Sequence, residues 1–121
     1  MNTQNYINNT WCDAESGKTF DVENPFTEKV IAKVPASAEA DVNKAVAAAK
    51  TAFQDWRQLT AGERKDHMRA MANNSREHAE EIAKTISTEM GKPFGDAISE
   101  IEDVAEYLEY YAEMARDHVG R

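Results

Sequence analysis

Apolar positions change their spacing near residue 36, and that change separates a strand-forming part from a helix-forming part. Before it, apolar residues come in short β-branched and aromatic runs broken by turn formers. Tyr6 and Ile7 are parted from Trp11 and Cys12 by Asn8 and Asn9, and asparagine accepts the positive φ of a tight hairpin turn. A first hairpin is expected there. Residues 19–22, the pair Asn24 and Pro25, and residues 30–34 ahead of Pro35 predict a second. Strands this short are not stable alone.

After Ser37 the period becomes helical. Val42, Val46, Ala49, Phe53 and Trp56 recur every three or four residues and predict a first helix, with Ser37 as its N-cap and Glu39 and Asp41 complementing the helix dipole. Thr60 and Glu63 form a capping box that opens a second helix, whose apolar stripe is Met68, Met71, Ser75, Ala79, Ile82, Ile86 and Met90. Gly91 suits the left-handed position that stops a helix, and Pro93 follows it. A third helix is expected from about Pro93 to Gly120, burying Ile98, Ile101, Ala105, Leu108, Ala112 and Ala115. The organisation is therefore strands over 1–36 and three helices over 37–121, an α+β chain without internal repeats.

Charge narrows the function classes. The 121 residues carry 22 acids against 14 Lys and Arg, a net charge of −8, and the bases are scattered, which argues against nucleic acid and against a membrane-bound basic face. The longest apolar run, residues 45–49, is far too short to span a bilayer, and the amino terminus has neither the basic start nor the apolar centre of a secretory signal. With Cys12 as the only cysteine, no disulfide can form within the chain, and a cytoplasmic location is expected. The glycosylation sequons at Asn8 and Asn73 are discounted on the same ground. Six of the net negative charges fall from Asp96 onward, where eight acids meet only Arg116 and Arg121. That helix has either a solvated acidic face or one that meets cations or a partner. Tyr107, Tyr110 and Tyr111 read as core or interface aromatics.

Local signatures of chemistry are absent. There is no glycine-rich dinucleotide or phosphate loop, and the proline in Gly91-Lys92-Pro93 removes an amide that a phosphate cradle would use. His67, His78 and His118 lack the spacing of zinc ligands and read as surface or interfacial, and Cys12 lies in a short strand without neighbouring bases to activate it and reads as structural.

The ordered set of segments nevertheless resembles one family. Residues 6–11, then Val22-Glu23-Asn24-Pro25-Phe26-Thr27, then residues 30–35, are similar to the start of an NAD(P)-dependent aldehyde dehydrogenase. The similarity continues through residues 42–53, Trp56-Arg57, Glu63-Arg64, Glu89-Met90-Gly91-Lys92-Pro93 and residues 107–112. The Met-Gly-Lys-Pro form leans toward the bacterial semialdehyde dehydrogenases.

The resemblance implies that the chain is the amino-terminal segment of such an enzyme, the helical part of an α/β NAD(P)-binding domain. Members of the family are several times longer and homo-oligomeric. It implies that the catalytic thiol, the general base and the contacts to NAD or NADP come from segments after Arg121. No catalytic or cofactor-binding residue is then assigned here, Cys12 is not the nucleophile, and neither cofactor is expected to bind this chain alone. Thiolate attack, hydride transfer and thioester hydrolysis would be the reaction of the whole enzyme on a small aldehyde. It also implies a structural cation held by oxygens of Val22, Glu23 and Glu89, and a substrate entrance bordered by Glu100, Asp103 and Val104. The principal partner is the remainder of the dehydrogenase fold. On this view the isolated chain is inactive and prone to associate, because its helices expect a sheet that it does not contain. The alternative is a stand-alone acidic helical module that binds a basic partner and catalyses nothing.

Overall fold

A computed structural model describes residues 3–115. The fold is α+β, with two small antiparallel hairpins followed by four helices, and it divides after Arg57 into two compact units.

In the first unit, β1 (Asn5–Ile7) pairs with β2 (Thr10–Cys12), with Ile7 opposite Thr10. Asn8 and Asn9 form the turn at φ 51° and 58°, as their side chains allow. Across this ladder the Tyr6 and Trp11 rings lie 4.7 Å apart. The second hairpin joins β3 (Thr19–Asn24) to β4 (Lys29–Pro35). Its loop is organised by Asn24, whose Oδ1 accepts the amides of Phe26 at 2.8 Å and Thr27 at 3.0 Å. The register slips between Val22 and Glu23: Val22 faces Ala32 and Glu23 faces Val30, which leaves Ile31 as an extra residue, a β-bulge.

Helix α1 (Glu39–Trp56) begins two residues after Ser37, and Ser37 is not its cap. The N-cap position is Ala38, and the Ser37 hydroxyl instead accepts a bond from Asn5 Nδ2 at 2.8 Å. Capping falls to Asp41. One carboxylate oxygen accepts the Ala38 amide at 2.9 Å and the other accepts the Glu15 amide at 2.8 Å. A carboxylate can serve two donors at once, and here it ties the turn after β2 to the start of α1. These bonds, from Ala38 first and then Glu15, hold the Asp41 carboxyl below its ordinary pKa. The expected apolar stripe of α1 is present, but Val42, Val46, Phe53 and Trp56 are exposed.

The second unit contains α2 (Ala61–Glu77), α3 (Ala79–Met90) and α4 (Phe94–Met114). The expected capping box forms: the Glu63 amide donates to Thr60 Oγ1 at 3.3 Å and the Thr60 amide to Glu63 Oε2 at 2.7 Å. What reads as one helix over residues 60–90 is two, parted at His78 (φ −103°, ψ 13°). Weak helix formers precede the break, Asn73, Asn74 and Ser75, yet no proline or glycine marks it. Backbone bonds from His78 to Asn74 and from Ile82 to His78 span it, so the path bends without stopping. Gly91 ends α3 at φ 76°, and Pro93 is the N-cap of α4. The expected continuation to Gly120 lies outside the described residues.

The packed face also differs from expectation in one respect. Met71, Ile82 and Met90 are exposed, while Ala72 and Ala83 are fully buried beside the half-buried Met68, Ser75, Ala79 and Ile86. The seam rotates toward the smaller side chains because they let helices approach closely. On α4 the buried residues are Ala97, Ile101, Ala105 and Ala112, with Ile98 and Leu108 half-buried. Ala83, Ala97 and Ile101 form one cluster, flanked by Ala79, Ile86 and Ile98. Among the described residues no large side chain is fully buried.

Such a seam tolerates added volume poorly. Ala105→Leu is expected to destabilise the helical unit by about 1–3 kcal/mol, measured by urea denaturation. A variant as stable as the parent would show that the seam is loosely packed.

Candidate functional site

Helix α4 concentrates the acidic charge and holds half of the candidate site residues, and its period sorts its side chains into three stripes. Taking Glu102 as the origin and turning about 100° per residue, Glu109 and Glu113 fall within about 20° of it on either side. The buried alanines and Ile101 lie between about 60° and 140° to one side. Asp103, Val104, Tyr107 and Glu100 lie between about 100° and 200° on the other.

The first stripe meets cations from α2. Arg76 Nη1 and Nη2 donate to the two carboxylate oxygens of Glu109 at 2.7 and 3.0 Å, and Arg76 Nε donates to Glu102 at 2.9 Å. Nearer the other end of the interface, Lys65 Nζ and Arg69 Nη2 contact Glu113 at 2.7 and 2.5 Å. The helices run so that ascending bases (65, 69, 76) meet descending acids (113, 109, 102). Hydrogen bonds from Arg76 hold the Glu109 carboxyl below its ordinary range, and those from Lys65 chiefly do the same for Glu113. In turn Glu109 and then Glu102 raise the Arg76 pKa further, so the guanidinium stays charged. Of the two readings left open for the acidic helix, this stripe takes the cation-meeting one. The signal was in the sequence as complementary spacings, four then seven along α2 and seven then four along α4.

The exposed stripe carries the three entrance candidates. Glu100 forms an ion pair with Lys92, which tethers the first turns of α4 to the chain preceding them. Asp103 lines a shallow depression of about 530 Å³ with Glu106, Tyr107 and Tyr110. Val104 is exposed on the same side. Tyr110 and Tyr111 meet edge to face at 5.3 Å, and Tyr107, Tyr110 and Tyr111 are all exposed, so none is a core aromatic within this unit.

The cation candidates occupy different elements. Val22 and Glu23 flank the register slip in β3, in the first unit, and Glu89 is an exposed carboxylate in the last turn of α3, in the second. All three offer oxygen donors, which suit a hard cation. No group of three or more His, Cys, Asp or Glu assembles among the described residues. Cys12 is half-buried in β2. His78 stands at the α2–α3 break, 3.8 Å from Glu81, whereas His118 lies outside the described residues. No helix among the described residues is long and apolar enough to cross a membrane.

Residues 11–121 match the aldehyde dehydrogenase family. The chain is 40% identical over 117 residues to the glutarate-semialdehyde dehydrogenase of Pseudomonas putida, covering 97% of this chain and 24% of that protein. It is 36% identical over 117 residues to the NADP(+) succinate-semialdehyde dehydrogenase of Escherichia coli, with the same coverage of 97% and 24%. Among solved structures, betaine aldehyde dehydrogenase of Staphylococcus aureus in complex with NAD+ superposes on 98% of this chain with a TM-score of 0.91 and 29% identity, over 24% of its own length. The chain spans about a quarter of the length of the relatives it matches.

The ion pairs make the helical unit acid-sensitive. Glu109 and Glu113 have folded pKa values below their ordinary 4.5, so the unfolded chain binds more protons as acid is added. Their contribution is present above the ordinary value and is lost as pH falls through the lowered ones. Thermal unfolding followed by circular dichroism should hold steady from about pH 7 to about 5 and weaken below it, with Glu109→Gln showing a shallower decline. Equal declines in parent and variant would remove the Arg76 pair as a source of the effect.

Proposed function

From the premise that this chain belongs to the aldehyde dehydrogenase family, we propose that it is the amino-terminal quarter of an NAD(P)-dependent enzyme that oxidises an aldehyde to a carboxylic acid, with semialdehydes the favoured class. The observation that carries this reading is coverage: 98% of the chain superposes on a quarter of an NAD+-bound dehydrogenase. The exposed apolar stripe of α1 supports it too, since Val42, Val46, Phe53 and Trp56 are well placed to be covered by further polypeptide. The semialdehyde preference is supported by the two relatives above, which are named for substrates that carry one carboxylate besides the aldehyde.

Within this reading the nucleophilic thiol, the general base and the cofactor contacts belong to polypeptide beyond this chain, and Cys12 in β2 is structural. When bound, NAD or NADP supplies the hydride acceptor. What this chain's own residues do is shape and hold. By the family resemblance, Val22 and Glu23 in the first unit and Glu89 in the second would each offer an oxygen to a structural cation, and Glu100, Asp103 and Val104 would border the aldehyde's path, with Glu100 paired to Lys92. The complete enzyme is a homo-oligomer. The rival reading, a stand-alone acidic module, loses its main support because Glu102, Glu109 and Glu113 are already engaged by α2.

Two measurements test this. Purified alone, the chain should produce no NADH or NADPH from succinic or glutaric semialdehyde. Exchanged for the matching quarter of the E. coli succinate-semialdehyde dehydrogenase, it should give a chimera with kcat/KM within about tenfold of the parent. A soluble chimera without turnover, or turnover by the chain alone, would overturn the proposal.

A further inference from the structure

We infer that Arg76 is a positioning residue for the substrate-facing stripe of α4. The inference rests on the reading above that Asp103 and Val104 border the aldehyde's path. Among the described residues, the fully buried side chains of α2 and α4 are all alanines, Ala72 on α2 and Ala97, Ala105 and Ala112 on α4. Methyl groups allow close approach but interlock little, so such a seam specifies the rotation of a helix about its axis only weakly. Directional bonds must then supply what packing does not.

Arg76 is suited to that task. Its planar fork reaches two carboxylates seven residues apart, gripping Glu109 through both terminal nitrogens and Glu102 through Nε. Turning α4 by one residue, about 100°, would carry both carboxylates away from the fork. Lys65 and Arg69 each reach Glu113 through one bond and constrain less. Glu102 immediately precedes Asp103, and within a rigid helix the angle between the gripped stripe and the exposed stripe is fixed. Setting the first sets the second. Arg76 therefore acts on substrate binding without touching substrate, through the rotation of α4.

The chimera tests this with Arg76→Met and Arg76→Lys. Both should raise the aldehyde KM by about three- to tenfold while kcat and the KM for NADP+ change by less than about twofold. Lysine keeps the charge but cannot span two carboxylates as a fork, so its failure to restore the aldehyde KM distinguishes geometry from charge. A merely structural role would lower active yield and leave KM unmoved. An unchanged aldehyde KM in both variants, full rescue by lysine, or a parallel shift in both substrates' KM values would overturn the inference. Should Arg76→Met not fold, Arg76→Lys decides alone. An inactive unsubstituted chimera would overturn the function and this inference together, whereas an active one with unmoved variants would overturn only the latter.

Discussion

Close approach of helices through alanine methyls is the constraint on which the second unit depends. Ala72, Ala83, Ala97, Ala105 and Ala112 are fully buried, and Ile101 is the one buried larger apolar side chain on these three helices among the described residues. A methyl removes little apolar area from water, so each contact contributes less than a buried leucine would. The arrangement also decides where the bulk goes. Met71, Ile82, Val104, Tyr107 and Met114 are left on outer faces because the seam has no room for them. A seam of small residues therefore has two effects that follow from one cause: thin packing inside and apolar surface outside.

Electrostatics adds what thin packing lacks. Glutamates spaced four apart on one helix, such as Glu109 and Glu113, repel one another in isolation. Facing Lys65, Arg69 and Arg76, the same residues become interhelix partners. These pairs are partly exposed, and exposed pairs contribute modestly to stability. Their value is in direction, since a fork that grips two carboxylates adds to the rotational preference that Ile101 and the alanines set. Asp41 has a similar role in the first unit, where a carboxylate joining the Glu15 and Ala38 amides fixes how the turn after β2 meets α1.

Local chemistry was legible in the sequence and tertiary choice was not. Asn8 and Asn9, Thr60 with Glu63, and Gly91 each act through their own backbone or that of a residue three away, so their roles could be read without knowing the fold. Ser37 looked like a cap by the same logic, but the competing partner of Asp41, Glu15, is 26 residues away. Helical period located the apolar faces of α2 and α3, yet it could not choose between Met71 and the adjacent Ala72, because neighbouring residues border the same stripe and closeness of packing decides. The break at His78 has no glycine or proline to announce it. Of the candidate site, the entrance and cation residues came from resemblance to a family and from no chemistry of their own. Arg76 was overlooked because its two partners lie 26 and 33 residues away.

The three stripes of α4 also explain why its sequence is at once acidic, alanine-rich and aromatic. A helix with one neighbour needs one apolar face and can leave the rest polar. This one has a small-residue face against α3 and α2, an acidic face locked by α2, and a third face of Val104, Tyr107 and Tyr111 beside Asp103. A solvated face would not accumulate a valine and two tyrosines at helical spacing, and a buried core face would not place a carboxylate among them. Apolar bodies with polar tips suit a surface that is covered in part and wetted in part. That mixture suits the proposed role of this side of α4 as a wall between packed protein and a small-molecule path, a role taken from the family resemblance and not from the chemistry of the face.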